Sequence, residues 1–345
     1  MSRKDWQGGI IRPVPVPPAG PYEDGVASGV WTLQDVADYL KQGLWPIAGN
    51  EFPVIGLFMG GEVSLAAQTI EKILIPTTGN ATDFGDMTRF SSQLAACSSA
   101  TRGVAAGGLD RSNAVVNTID YVTMLTEGNA TDFGDLTLAR RAIAGASNST
   151  RGLFAGGMNA GSTDYNVVDY ITIASAGNAS DFGDIGTSVN REAAAASPTR
   201  ALFAGGEYNN LGNQNVINYV TIASTGNGTD FGDLTAGREW PAGSSSSTRA
   251  VFGGGSSYSG NVIDYVTIAS TGNATDFGDL TEQAEGRGSC SSSTRAVFGG
   301  GSGATVINVI QYITIDTTGN ATDFGDLSAA TKFLAGCSNS HGGLA

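Results

Sequence analysis

The chain has 345 residues, 18 basic against 32 acidic side chains, a formal net charge of −14 and a single histidine. So large an acid excess argues against nucleic acid as a partner, and His341 by itself is too little for a zinc centre or a Ser-His-Asp triad. There is no apolar run of 18 residues and no basic, apolar leader, so neither membrane insertion nor Sec-type export is expected.

Residues 1–52 differ in composition from everything after them. Arg12–Tyr22, RPVPVPPAGPY, has five prolines in eleven residues and predicts an extended, polyproline-like arm. In Ala27–Pro46, ASGVWTLQDVADYLKQGLWP, the stripe Leu33, Val36, Ala37 and Leu40 predicts a short helix over Leu33–Gln42, ended before Gly43 and Pro46. Trp31, Leu33, Val36 and Trp45 give this segment an apolar face that wants a partner.

Residues 53–345 repeat. The run Thr-Asp-Phe-Gly-Asp, once with Ser first, ends at Asp86, Asp135, Asp184, Asp233, Asp279 and Asp326, at intervals of 49, 49, 49, 46 and 47 residues. A period near 48 marks a repeat architecture. Each unit reads as four strands. Leu94–Ala100 is a strand of small residues, and Gly103–Gly108 follows a Thr-Arg turn and closes on a double glycine. After a variable stretch comes Ile119–Leu125, which alternates apolar and polar positions. A Gly-Asn turn then delivers the short outer strand around Phe133. The phenylalanines Phe84, Phe133, Phe182, Phe231, Phe277 and Phe324 are expected to pack between units. The first double-glycine strand, Val54–Gly61, lacks the strand that should precede it, and the last small-residue strand, Phe333–Ser340, lacks its successor. The two are therefore expected to pair and close the ring, removing open edges.

Four antiparallel strands with a double glycine after the second resemble the kelch repeat, with Tyr121, Tyr170, Tyr219, Tyr265 and Tyr312 at the tyrosine position and Phe where kelch blades carry Trp. The resemblance implies an all-β, six-bladed propeller over residues 53–345.

Several chemistries are weak on these residues. A protein kinase carries one Asp-Phe-Gly together with a glycine-rich loop and His-Arg-Asp; this chain has six copies and neither companion. A galactose-oxidase-like copper site needs two histidines, and a glycosidase needs a distinct pair of carboxylates, whereas the acids here are mostly repeated. The Asn-x-Thr/Ser runs at Asn80, Asn129, Asn178, Asn227, Asn273 and Asn320 read as turns, and the spacing of Asp83 and Asp86 is too sparse for a known calcium loop. Cys97, Cys290 and Cys337 fall at one repeat position that also takes Ala146, Ala195 and Ser244, as small buried residues would. No cofactor or metal is expected.

The element SGVW, helix, WP at Ser28–Pro46 resembles one found near the ends of tailed-bacteriophage virion proteins, and YVTIASTGNATDFGDL (Tyr265–Leu280) resembles repeats in structural proteins of marine and cyanobacterial phages. Together they imply a non-enzymatic virion protein, of a tail fibre or decorating a capsid. Residues 1–52 would attach it to other virion proteins, and the propeller would adsorb to a host-surface glycan or protein or assist assembly. The alternative is a polysaccharide-degrading propeller lyase or hydrolase.

Strand alternation puts the Thr-Arg and Gly-Asn-x-Thr-Asp turns at one end of the ring, where Arg102 is expected to neutralise Asp132 and Arg151 to neutralise Asp181. The other end differs in every repeat, and recognition is expected there from Arg140, Arg141, Tyr165, Arg191, Tyr208, Arg238, Trp240, Tyr258 and Arg287.

Overall fold

The structure, a computed structural model, describes residues 53–344 apart from 64–66, 209–211 and 257–259. The arm, the helix and Trp31, Leu33, Val36 and Trp45 lie outside the described residues. From Val54 onward the chain forms one unit of six four-stranded antiparallel sheets, a six-bladed β-propeller. A typical blade runs from Ala95–Ser98 at the axis through Arg102–Ala106 and Thr118–Thr123 to Thr131–Asp135 at the rim. Ring closure is as expected: Ile55–Met59 pairs with Ala335–Ser338 in the register Leu57 to Cys337. The break in the chain falls where other blades have a tight turn. Ile55 N–H donates to Asn339 Oδ1 at 2.9 Å, and Asn339 N–H donates to the Ile55 carbonyl at 3.2 Å. These are the two bonds that Ser99 and Arg102 make in an unbroken turn.

The apolar core lies between blades. Phe133 packs with Val104 and Ile119 of its own sheet and with Phe154 and Ile171 of the next, and its ring meets Tyr121 edge-on at 5.8 Å. The three cysteines are free and buried.

The repeated motif is an inter-blade latch. The Phe133 carbonyl accepts from Gly177 N–H at 2.7 Å, and the Asp135 carbonyl accepts from Ala179 N–H at 2.8 Å. Asp135 N–H in turn donates to Asn178 Oδ1 at 3.1 Å. The turn of each blade thus completes the outer strand of the one before it. Asn129, Asn178, Asn227, Asn273, Asn320 and, across the seam, Asn80 make the same contact at 3.0–3.1 Å. Gly134, at φ +146°, lies so close to the next turn that a Cβ there would stand 2.6 Å from the Gly177 carbonyl.

The Thr-Arg turns correct one expectation. Arg102 does not pair with Asp132, nor Arg151 with Asp181. Each guanidinium lies over the tyrosine of its own blade, 4.6 Å from the ring centre, and donates to a carbonyl of the next: Arg102 Nη1 to Ile173 at 2.9 Å and Arg151 Nη1 to Ile222 at 2.7 Å. A half-buried ring face and carbonyls without other donors hold a cation better than an exposed carboxylate in water does.

At this end Ser98, Ser147, Ser245, Ser291 and Ser338 each donate a hydroxyl to the carbonyl of the preceding blade. The sixth position is Ala196. The terminal turn enters this ring, placing His341 Nε2 3.1 Å from the Ser98 carbonyl. Burial lowers the His341 pKa to about 4, so the imidazole is neutral at pH 7.

Substituting Asn178→Ala should cost about 0.5–1.5 kcal/mol, one lost hydrogen bond. Gly134→Ala should cost at least twice as much, because backbone must move. Urea midpoints compare the two directly, and equal or negligible losses would contradict the latch.

Candidate functional site: the variable mouth of the ring

The opposite end is built differently. Immediately before each innermost strand the chain turns through a left-handed residue, at Gln93, Ala142, Arg191, Trp240, Gly286 and Phe333, with φ between +55° and +62°. Each amide donates to the carbonyl of its counterpart one blade back, so that Ala142 N–H meets Gln93 O at 2.7 Å and Gln93 N–H meets Phe333 O at 2.9 Å. Six backbone hydrogen bonds thereby form a closed circle around the axis. Around it stand six further backbone bridges, one within each blade, from Ser92–Leu109 to Lys332–Glu62. Left-handed backbone strains residues with a Cβ, yet five of the six positions carry one, among them Arg, Trp and Phe.

Within this frame the side chains share no pattern. Trp240 and Phe333 are in contact, their centroids 4.6 Å apart and their planes tilted by 42°. They meet across Gly286, where a Cβ would come 2.4 Å from the Phe333 ring. Arg191 bridges Glu207 and Glu239 and lies 5.8 Å from the Trp240 ring centre. Lys332 sits 5.0 Å from the centre of Phe333 and 3.5 Å from Glu62, and Arg141 donates to Gln93 Oε1 at 2.8 Å.

Below the circle lies a cavity of about 90 Å³, lined in part by Trp240, Phe333, Glu192 and Arg287. Glu192 is 7% exposed, and its Oε1 has no hydrogen-bond partner. Burial raises its pKa to about 8, against the pull of Arg140. Burial likewise lowers Arg287 to about 10; it donates to the Gly300 and Glu282 carbonyls, and its Nε is unpartnered. Deeper in, neighbouring innermost strands run close together: a Cβ at Gly145 would lie 2.3 Å from the Ala96 carbonyl.

The sequence-derived recognition set divides. Arg191, Trp240 and Arg141 stand at the mouth. Tyr165 is half-buried and accepts from Asn159 Nδ2 at 3.2 Å, Tyr208 packs against the core between blades, and Tyr258 lies outside the described residues. Arg140, Arg238 and Arg287 are corrections, because all three are buried. Arg140 and Arg238 have no exposed surface and brace neighbouring blades through Asp169 at 2.7 Å and Asp264 at 2.8 Å. Those aspartates also accept from Thr137 and Thr235. The sequence carries the signal: where Arg140 and Arg238 become Val189 and Ala284, the partner becomes the uncharged Asn218 and Gln311. Phe333, Glu192, Glu207 and Glu239 were not foreseen at the mouth. Aligning the repeats two residues before the innermost strand would have singled out Phe333 beside Trp240.

The fold places the chain among six-bladed β-propellers. No protein-family model matches it, and a search of curated proteins returns no match.

The Glu192 linkage has a definite sign. The folded carboxyl stays protonated up to about pH 8, while the unfolded one ionises from its ordinary value of 4.5. Its contribution to stability is complete below pH 4.5 and is lost as pH rises toward 8. Glu192→Gln should therefore be nearly neutral at pH 4 and stabilise by on the order of 4 kcal/mol at pH 8. Denaturant titrations at the two pH values check this, and a gain that does not depend on pH would contradict it.

Proposed function

We propose that the protein is a non-catalytic recognition propeller of a phage particle, attached through residues 1–52 and meeting its target with the variable mouth. One observation carries the reading. At the repeated end side chains make part of every inter-blade contact, so those side chains have to recur; at the mouth a closed circle of amide-to-carbonyl bonds joins the blades, so the side chains on it can vary. A rigid frame presenting non-repeated aromatic and charged groups is what recognition requires. The virion context rests on the resemblance of Ser28–Pro46 and of the Gly-Asn-Ala-Thr-Asp repeats to tailed-phage structural proteins, and the blades carry the kelch-like double glycine.

The polysaccharide-degrading alternative would use Glu192, which is protonated at neutral pH and lines the cavity. General acid catalysis at a glycosidic bond needs a second carboxylate opposite it, and Glu192 is the single acid among the described residues lining that cavity.

Labelled full-length protein should bind host cells. Trp240→Ala should weaken that binding at least tenfold with little change in melting temperature, and Asn178→Ala should lower the melting temperature without weakening binding below it. Host polysaccharide should not be shortened on incubation. The opposite pattern in the two variants, or released oligosaccharides, would overturn the proposal.

A further inference from the structure

Resting on that reading, we propose that the mouth takes the terminal residue of an uncharged glycan, its ring lying on the Trp240–Phe333 pair and its hydroxyls bonding to the Arg191, Glu207 and Glu239 cluster.

Three features define the ligand. Two half-buried rings in tilted contact give an apolar face in a concave, otherwise polar setting, which suits the C–H face of a pyranose. Gly286 leaves the gap in which those rings meet, so the platform depends on a residue absent from the other five positions. Arg191 with its two carboxylates offers donors and acceptors side by side, the combination that vicinal hydroxyls match.

Charge excludes acidic sugars. Arg191 faces two glutamates, Lys332 is within ion-pair distance of Glu62, and Arg141 is engaged by Gln93. A uronate or phosphate would meet excess negative charge. Depth sets the end-on mode. A cavity of about 90 Å³ holds several waters, enough for a hydroxymethyl group or the edge of one ring. The terminal turn, with His341 against the Ser98 carbonyl, occupies the far end of the axis and stops a chain from threading through. Glu192 lines this depth, its buried Oε1 lying beside Gly156 of the neighbouring blade.

The test is saturation-transfer NMR on the full chain with the methyl glycosides of glucose, galactose, mannose and N-acetylglucosamine, and with methyl glucuronide. A ligand of about 13 non-hydrogen atoms should bind with Kd near the millimolar range. At least one neutral glycoside should receive saturation at its ring protons and outcompete the glucuronide. The transfer should vanish in Trp240→Ala and Phe333→Ala, persist in Trp240→Phe, and persist in Tyr165→Ala. Melting curves confirm that each variant is folded. No transfer from any glycoside, transfer surviving in Trp240→Ala, or a preference for the glucuronide would each overturn the inference. If none binds while Trp240→Ala still abolishes attachment to cells, the mouth recognises something other than a sugar and the recognition reading stands. If attachment also ignores Trp240, both fail.

Discussion

The structure depends on one contact made six times: an asparagine side chain accepting the backbone N–H of the aspartate that ends the preceding blade's outer strand. With the two backbone bonds beside it, this contact covers an edge that each four-stranded sheet would otherwise leave open. It explains why Gly-Asn-x-Thr-Asp-Phe-Gly-Asp recurs almost unchanged. Asparagine supplies the acceptor, the following small residue and the earlier glycine supply amides, and the glycine of Phe-Gly-Asp lets the next turn approach. The aspartate that closes the motif takes part in the latch through its backbone amide and carbonyl.

Because the latch at the rim, beside its two backbone bonds, and the serine and arginine contacts further in all use side chains, the end that carries them cannot vary without loosening the ring. The mouth is under no such restriction. Its circle of bonds runs from amide to carbonyl and accepts any residue that tolerates a left-handed turn. Strain from placing Arg191, Trp240 and Phe333 in that conformation is borne by a closed circle of hydrogen bonds, and the side chains point to where a ligand can reach them. Stability and recognition are thus separated by which atoms make the bonds.

The architecture was legible because repetition exposes it. The 46–49 residue period, the double glycines and the unmatched strands at the two ends are enough to give six blades and a seam between Val54–Gly61 and Phe333–Ser340. The site was only half legible. Loop arginines look alike in sequence, and burial separates Arg191 from Arg140 and Arg238, whose partners Asp169 and Asp264 lie in the next blade. The pairing of Trp240 with Phe333 joins residues 93 apart in sequence and requires a glycine midway round the ring, information that periodicity within a single unit does not contain. Phe333 read as the start of a strand, when it is the left-handed residue before one.

The central claim is that the belt of latches is continuous across the break in the chain. Hydrogen exchange of the native protein tests it most directly, through the amides of Gly79 and Asp326 at the seam and of Gly177 and Asp135 at an unbroken interface. The account predicts equal protection at both, lost together in one global opening. Seam amides exchanging orders of magnitude faster than their counterparts would show an open sector in place of a closed ring.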